Sequence, residues 1–180
     1  MTYTEKVLSE ESIFKGQIID LAVQQVELPN GQTARREIVY HNGAVGIIPI
    51  TADGRLIVVR QWRAPMQRET LEIPAGKIDL GETQLESVAL RELNEETGMM
   101  TTALKGVAKF FSSPGFSNEL MTLFYADQLT PVVHKRPLDA DEFLNVEKLT
   151  LAEAQAAVAS GLICDAKTIM ALYYWQLQTN

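Results

Sequence analysis

The sequence predicts an α+β fold in which helices pack on a mixed β-sheet, with an antiparallel β subdomain at the N-terminus. Apolar, β-branched runs bounded by turn-forming residues recur along the chain and are typical of strands. Residues 84–97 have the apolar periodicity of a helix, and two further helical segments follow near the C-terminus. A chain of 180 residues with 46% apolar content suffices for one domain with an ordinary core.

The N-terminal part is predicted to form an antiparallel sheet. Residues 10–28 have strand character, and Asn30-Gly31 separates the segments LAVQQVEL and TARREIVYH. This dipeptide favours a hairpin because it tolerates the positive φ of a tight turn. A break near residues 42–44 predicts an N-terminal β subdomain at 1–42 and a main domain at 43–180.

The central sheet is predicted from residues 44–50, 55–61 and 70–73. The turn sequence Thr51-Ala52-Asp53-Gly54 joins the first two of these strands. After the helix at 84–97, strand-like runs occupy residues 103–111, 120–126 and 143–149. Two helices are expected to follow, at residues 151–160, ending at Gly161, and at residues 165–177.

The stretch GKIDLGETQLESVALRELNEETG, from Gly76 to Gly98, concentrates carboxylates around a glycine-containing loop and a helix. On a helix, Glu92 and Glu96 lie one turn apart on the same face, with Glu95 beside them. Like charges so close together oppose folding unless a cation lies between them, and Mg²⁺ prefers carboxylate oxygens. The pattern therefore indicates a divalent metal site next to bound phosphates.

The alternative is a solvated helix whose acidic face has no function. Val88, Leu90 and Leu93 supply an apolar stripe that is predicted to face inward, and Gly98 is a C-terminal stop. Glycines before a helix N-terminus expose N–H groups that attract anions. These features favour the metal and phosphate site.

Charge and cysteine content exclude several classes of protein. Sixteen basic and 23 acidic residues give a formal charge of −7, which argues against nucleic-acid binding. The single Cys164 cannot form an internal disulfide, and there is no Cys/His cluster typical of structural zinc. With a polar N-terminus and no apolar run of about 18 residues, neither secretion nor membrane insertion is expected, so the cytoplasm is predicted.

This stretch resembles the Nudix box, in which a glycine and a glutamate precede the pattern R-E-U-x-E-E-x-G-U, with U aliphatic. The matching residues are Gly76, Glu82, Arg91, Glu92, Leu93, Glu95, Glu96, Gly98 and Met99. Eight residues rather than seven separate Glu82 from Arg91, so either the start of the helix bulges or Glu82 is displaced. The resemblance implies a Nudix-like α/β/α sandwich.

The resemblance also implies roles for the residues of the box. Glu92 and Glu96 would bind metal, Glu95 would support them, and Arg91 would hold the carboxylates by ion pairing. The backbone carbonyl of Ala75 corresponds to a further metal ligand. Two or three Mg²⁺ or Mn²⁺ ions are implied.

Segments outside the box resemble the ADP-ribose pyrophosphatase branch of the family. They are ELPNGQTARREIV, VVRQWR, LEIPAGKID, SSPGFSNE and GLICDAKTIMAL, in the order expected. In that branch a proline about fifteen residues after the box marks ADP-ribose specificity, and Pro114 is at this position. A simple Ser-Pro-Gly turn is the alternative explanation of Pro114.

A second source of carboxylates is the loop that precedes residues 143–149, where Asp139, Asp141 and Glu142 follow one another closely. Such loop residues are often only solvated. In the enzymes that this chain resembles, the loop supplies a glutamate that binds metal or takes a proton from the attacking water. Glu142 is the predicted residue because of its longer side chain, with Asp141 and Asp139 as alternatives.

Substrate contacts are predicted mainly at arginines, whose planar fork grips phosphates and stacks on bases. Surface ion pairs are the alternative for each, and Trp62 is predicted to pack on the sheet. His41, His134 and Cys164 are assigned no catalytic role. The predicted substrate-binding residues are Arg36, Glu37, Arg60, Arg63, Glu72, Pro114 and Glu119.

The resemblance implies hydrolysis of ADP-ribose to AMP and ribose 5-phosphate by a homodimer joined through the N-terminal sheet. Three alternatives remain open: a hydrolase of GDP-mannose, ADP-glucose or a similar nucleoside-diphosphate sugar, a non-catalytic ADP-ribose sensor, and a purely structural protein. The intact set of box carboxylates counts against the last two.

Overall fold

The computed structural model describes residues 2–179, which form three α-helices and twelve strands. The chain divides into two compact units, one of residues 1–43 and 110–121, the other of residues 44–109 and 122–180. The mixture of helices and sheets confirms the α+β class. Within the described residues, no helix combines the length and apolar character needed to cross a membrane.

The first unit contains an antiparallel sheet of three strands, which pair in the order in which they follow one another along the chain. Residues 10–28, expected to form strands, contain the end of one strand and the whole of the next, joined by a turn at 16–19 where the Gly16 N–H donates to the Ile19 carbonyl. A Cβ on Gly16 would lie 2.6 Å from the Phe14 ring, so this turn needs glycine. The strands are β1 (Lys6–Lys15), β2 (Asp20–Glu27) and β3 (Thr33–Tyr40).

The hairpin predicted at Asn30-Gly31 joins β2 to β3 through residues 28–32. Gly31 has φ +81°, and its N–H donates to the Leu28 carbonyl. The Asn30 side chain accepts from the Gln32 N–H, which completes the turn. The hairpin is therefore confirmed, with a loop longer than two residues.

The second unit contains the acidic helix and most of the remaining strands. Two of these strands continue past its boundaries, into residues 110–111 and 120–121. In chain order the elements are β4 (Ala44–Pro49), β5 (Leu56–Arg63), a 3₁₀ turn (Ala64–Met66), β6 (Arg68–Glu72), β7 (Ala75–Lys77), α1 (Leu85–Thr97), β8 (Met99–Met100), β9 (Ala103–Phe111), β10 (Leu120–Asp127), β11 (Thr130–Pro131), β12 (Leu144–Leu149), α2 (Leu151–Ala159) and α3 (Ala166–Thr179).

The expected central sheet of three strands is wrong, because these strands belong to two sheets. One has the order β7-β4-β10-β9 and the other β12-β5-β6. The turn after β4 closes tightly, with the Thr51 N–H bonded to the Arg55 carbonyl and Gly54 at φ +72°. An isolated antiparallel bridge pairs Ile50, just after β4, with Leu56 at the start of β5, and the two strands then belong to different sheets.

Helix α1 packs its apolar side into the core of the second unit. The inward residues are Val88, Ala89 and Leu93, whereas Leu90 is only partly buried, so the predicted stripe was wrong at that position. At the C-terminus of the helix, Gly98 adopts φ +69° and donates to the Asn94 carbonyl, which confirms the predicted stop. The other members of the cluster are Val45, Ile47, Phe124 and Ala126.

Candidate active site

The carboxylate face of α1 is buried rather than solvated. Glu92 is 6% exposed and Glu96 is 2% exposed, while Glu95 is partly exposed beside them. Charged side chains are seldom buried to this degree without partners. The solvated-helix alternative therefore does not describe α1.

Gly76 leaves the space that the Glu92 carboxylate occupies. Strand β7 pairs antiparallel with β4, with Gly76 opposite Val45. A Cβ built on Gly76 would lie 2.0 Å from both Cδ and Oε1 of Glu92. The first residue of the box is therefore a glycine for steric reasons, because any side chain there would displace Glu92.

Arg91 connects three glutamates. Its guanidinium lies 2.8 Å from Glu92, 3.0 Å from Glu95 and 3.4 Å from Glu82, measured between the nearest nitrogen and oxygen atoms. The bond to Glu95 spans one helical turn. This arginine occupies the position that the resemblance predicts for a residue that holds the carboxylates.

The extra residue between Glu82 and Arg91 does not remove Glu82 from this network. Glu82 and Asp79 exchange two hydrogen bonds: the Asp79 N–H donates to Glu82 Oε2, and the Glu82 N–H donates to the Asp79 carbonyl. Helix α1 begins after Gln84, which makes no side-chain cap hydrogen bond. Glu82 therefore still reaches Arg91.

The electrostatic state of the two buried glutamates fits a cation. Burial, with help from the Glu95 and Glu142 carboxylates, raises the pKa of Glu92 to about 7. Burial and then the Glu92 and Glu142 carboxylates raise the pKa of Glu96 well above its usual value. Glu96 Oε2 is buried, and no described residue donates a hydrogen bond to it. A hard divalent ion would supply the positive charge that these oxygens lack.

Side chains of the described residues do not form a complete metal-binding cluster by themselves. Among residues 2–179, no three His, Cys, Asp or Glu side chains are grouped closely enough to hold a metal. Mg²⁺ usually takes one or two carboxylates and completes its shell with water, backbone or substrate oxygens. The Ala75 backbone also donates a hydrogen bond to Glu96, which places β7 against this carboxylate.

The loop that carries Glu142 is fastened to the C-terminal end of α1. The Arg136 N–H donates to Asn94 Oδ1 at 2.9 Å, and Lys135 Nζ donates to the Glu96 carbonyl at 3.2 Å. Partial burial and the nearby Asp139, Asp141 and Glu95 carboxylates raise the pKa of Glu142. Glu142 is therefore within electrostatic range of the acidic helix.

Arg63 forms an ion pair with the buried Glu72. The guanidinium donates through Nε and Nη2 to the two oxygens of Glu72, at 2.7 and 2.6 Å. Lys167 Nζ also donates to Glu72, which is 2% exposed. Burial alone would raise the pKa of Glu72, but Arg63 and Lys167 hold it at about 2.

Arg60 is not beside Arg63, because residues three apart in a strand face opposite sides of the sheet. Arg60 pairs instead with Glu147 at 2.6 Å and with Glu69 at 3.5 Å. Trp62 is 57% exposed, so the prediction that it packs on the sheet was wrong. The first four residues of β5 are buried, and Trp62 lies beyond them near the end of the strand. It lines a groove of about 510 Å³ with Arg60, Glu142 and Phe143.

The remaining predicted substrate residues lie in the first unit. Arg36 forms two hydrogen bonds with Glu5, and Glu37 is 3.8 Å from Arg35. Glu119 accepts a hydrogen bond from the Ser112 hydroxyl.

Pro114 lies in a turn closed by hydrogen bonds from the Phe116 and Ser117 N–H groups to the Ser113 carbonyl. His41 accepts at Nδ1 from the Gly43 N–H, a structural contact.

Sequence reasoning missed several residues that contact the predicted ones. Asn94 and Lys135 fasten the loop, and Asp165 and Lys167 extend the pair of Arg63 and Glu72. The available signal was the segment GLICDAKTIMAL, which contains Asp165 and Lys167 within an otherwise mostly apolar run. The partner of Lys167 on β6 does not follow from local sequence, because the two residues are 95 positions apart.

Known proteins with similar sequences cover nearly the whole chain. An ADP-ribose pyrophosphatase of Bacillus subtilis (strain 168) is 47% identical over 174 residues, which span 97% of this chain and 94% of the relative. A methanol dehydrogenase activator of Bacillus methanolicus is 43% identical over 176 residues, spanning 98% and 95%. A crystal structure of an ADP compounds hydrolase superposes with a TM-score of 0.85 and 25% identity, covering 97% of this chain and 93% of that one.

Two family models also match. The model of the nucleoside diphosphate sugar hydrolase N-terminal domain matches residues 5–39, and the NUDIX domain model matches residues 40–170. The second match includes α1, Gly76 and the loop with Glu142. The chain with this buried carboxylate pair therefore belongs to the Nudix family.

Proposed function

We propose that this protein is a Nudix pyrophosphohydrolase that cleaves the diphosphate of ADP-ribose to give AMP and ribose 5-phosphate. The observation that carries the proposal is the buried pair Glu92 and Glu96, in which Glu96 has a carboxylate oxygen without a hydrogen-bond donor. The 47% identity to an ADP-ribose pyrophosphatase supports the choice of substrate. Location in the cytoplasm is part of the proposal.

Two or three Mg²⁺ or Mn²⁺ ions would be held by Glu92, Glu96, the Ala75 carbonyl and Glu142, with water and substrate oxygens completing each shell because these carboxylates do not form one closed cluster. When bound, such ions neutralise diphosphate oxygens and make a coordinated water more acidic. Divalent-metal dependence is general in the family. The burial of both α1 carboxylates and their raised pKa values support this ligand set.

The remaining steps belong to side chains of this chain. Glu142 would accept the proton of the attacking water at a carboxylate oxygen, since it is on a loop beside α1 and its pKa is raised. Arg91 would keep Glu92 and Glu95 oriented through its ion pairs. Arg63 would bind a phosphate with the edge of its guanidinium that Glu72 leaves free.

Further substrate contacts would come from both units. They would come from Arg36, Glu37, Arg60, Pro114 and Glu119. Four of these lie in the first unit, where Arg36 pairs with Glu5. Arg60 is paired with Glu147, so it would have to exchange that partner for the substrate.

A substrate panel tests the proposal. Purified protein with Mg²⁺ is given ADP-ribose, ADP-glucose, GDP-mannose or diadenosine polyphosphates, and nucleotide products are separated by chromatography. We expect AMP from ADP-ribose at the highest kcat/KM. A preference for a hexose substrate would support the alternative nucleoside-diphosphate sugar hydrolase, and ADP-ribose binding without turnover would support the sensor.

We also propose that the N-terminal subdomain, residues 1–42, joins two copies of the chain, with residues 43–180 as the catalytic domain. Every residue of β1 is exposed, including apolar side chains that a folded chain normally covers. Sedimentation should give twice the mass of one chain, and Phe14→Glu should shift it to the monomer. A monomeric wild type at micromolar concentration would contradict this. The exposed apolar residues nearby are Val7, Leu8, Ile13, Phe14 and Ile18.

A further inference from the structure

The Glu72 carboxylate accepts hydrogen bonds from three side chains. Its Oε1 accepts from Arg63 Nε and from the Thr70 hydroxyl, each at 2.7 Å. Its Oε2 accepts from Arg63 Nη2 and from Lys167 Nζ. A carboxylate so deeply buried and so fully bonded has one fixed orientation.

Lys167 is itself held in place by the start of α3. Its side chain is only 12% exposed, and Nζ donates to Asp165 Oδ1 at 2.9 Å as well as to Glu72. The same Asp165 oxygen accepts the Thr168 N–H, which caps the helix. The Thr168 hydroxyl in turn accepts the Ile73 N–H, so the end of β6 and the start of α3 are joined.

The charges explain why a cation is needed at position 167. This group of linked side chains contains two acids, Glu72 and Asp165, and two cations, Arg63 and Lys167. The negative charge of Asp165 contributes to the raised pKa of Arg63. Without the ammonium group, Asp165 would compete with Glu72 for the guanidinium, and Arg63 would lose its single orientation.

The orientation of Arg63 leaves one edge of its guanidinium without a bond to Glu72. Its hydrogen bonds to Glu72 employ Nε and Nη2, and its side chain remains 40% exposed. It is also close enough to Glu96 for the two charges to interact. The Nη1 edge of the guanidinium is therefore the part available to an anion beside the metal site.

We propose that Lys167 is a positioning residue for diphosphate binding: through Glu72 and Asp165 it fixes the guanidinium of Arg63 so that its free edge meets a substrate phosphate. This inference rests on the proposed hydrolysis of a nucleoside-diphosphate sugar. Lys167 itself need not contact the substrate. Its effect should therefore depend on the presence of Arg63.

A double-mutant cycle tests this dependence. We expect Lys167→Met to raise the KM for ADP-ribose about tenfold with kcat within about threefold, because Arg63 binds ground and transition states alike. In the Arg63→Ala background the same change should alter KM less than about twofold. Lys167→Arg, which keeps the charge, should restore part of the affinity. Lys105→Met, at an exposed lysine, is the matched control.

Equal effects of Lys167→Met with and without Arg63, or an unchanged KM, would overturn the proposal. If Lys167→Met does not fold, Thr70→Val provides the second variant, since it removes one donor to Glu72 and should raise KM by a smaller factor that again vanishes without Arg63. If the wild type hydrolyses only another sugar nucleotide, the cycle is run on that substrate. If it hydrolyses none, the proposed function fails, and calorimetric binding of ADP across the same cycle still decides the role of Lys167.

Discussion

The α-carbon of Gly76 and the carboxylate of Glu92 approach so closely that a methyl group cannot fit between them. A Cβ on Gly76 would lie 2.0 Å from Glu92 Oε1, well inside any real contact distance. Glu92 cannot easily move away, because it is buried and paired with Arg91 at 2.8 Å. The backbone of β7 at Gly76 and the Glu92 side chain of α1 therefore leave no room for a side chain between them.

Gly76→Ala should displace the Glu92 carboxylate and weaken metal binding. We expect Mn²⁺ affinity, measured by calorimetry, to fall at least about tenfold, as for other changes that misorient a ligand. Gly106→Ala is the matched control, since nothing lies within 4 Å of a Cβ there. Wild-type Mn²⁺ affinity in Gly76→Ala would mean that Glu92 is not a ligand.

Glu96→Gln should abolish turnover while leaving the fold intact. The amide keeps the shape of the side chain and removes one ligand charge, so we expect kcat to fall at least about 100-fold. The fold raises the pKa of Glu96. At any pH above the pKa of this group in the unfolded chain, Glu96 therefore destabilises the metal-free protein. The variant in EDTA should therefore melt no lower than the wild type.

The effect of Mn²⁺ on the melting temperature should also distinguish Glu96→Gln from the wild type. Mn²⁺ should raise the melting temperature of the wild type by mass action but have a smaller effect on Glu96→Gln. Glu86→Gln, an exposed glutamate on the same helix, should behave as the wild type. Near-normal turnover of Glu96→Gln at saturating Mg²⁺ would refute the metal assignment.

The sequence was most informative where local chemistry decides the structure. Gly98 at positive φ and the hairpin at Gly31 follow from what glycine alone tolerates, and both are present. The segment at residues 103–111 was predicted with the same bounds as β9. The spacing of Glu92 and Glu96 placed both on one face, since a helix repeats every 3.6 residues.

The sequence was least informative where distant segments meet. Strand periodicity cannot assign β4 and β5 to different sheets, because that depends on partners elsewhere in the chain. The exposure of Trp62 depends on what covers its strand, which no local pattern records. Lys167 lies 95 residues from Glu72, so their ion pair could not be inferred from spacing.

Glu72 should make stability depend on acid pH. Its pKa in the fold is about 2, against a usual value of 4.5, so the stability it contributes is fully present above about pH 4.5 and is lost as pH falls toward 2. The shift corresponds to about 3 kcal/mol. Urea unfolding of wild type and Glu72→Gln should show a difference that shrinks over this interval. An unchanging difference would contradict the ion-pair explanation, and Glu69→Gln on the same strand is the control.

Glu142→Gln should lower kcat much more than Asp139→Asn or Asp141→Asn. The loop is fastened to α1 through Asn94, and Glu142 acts electrostatically on both Glu92 and Glu96. A general base of this kind contributes about 100- to 10,000-fold, and the KM for ADP-ribose should change little because the amide preserves shape. Steady-state kinetics of the three variants at fixed Mg²⁺ decide among the carboxylates. If Asp139→Asn or Asp141→Asn gives the largest loss, the base is that residue, and the longer reach of glutamate is not what selects it.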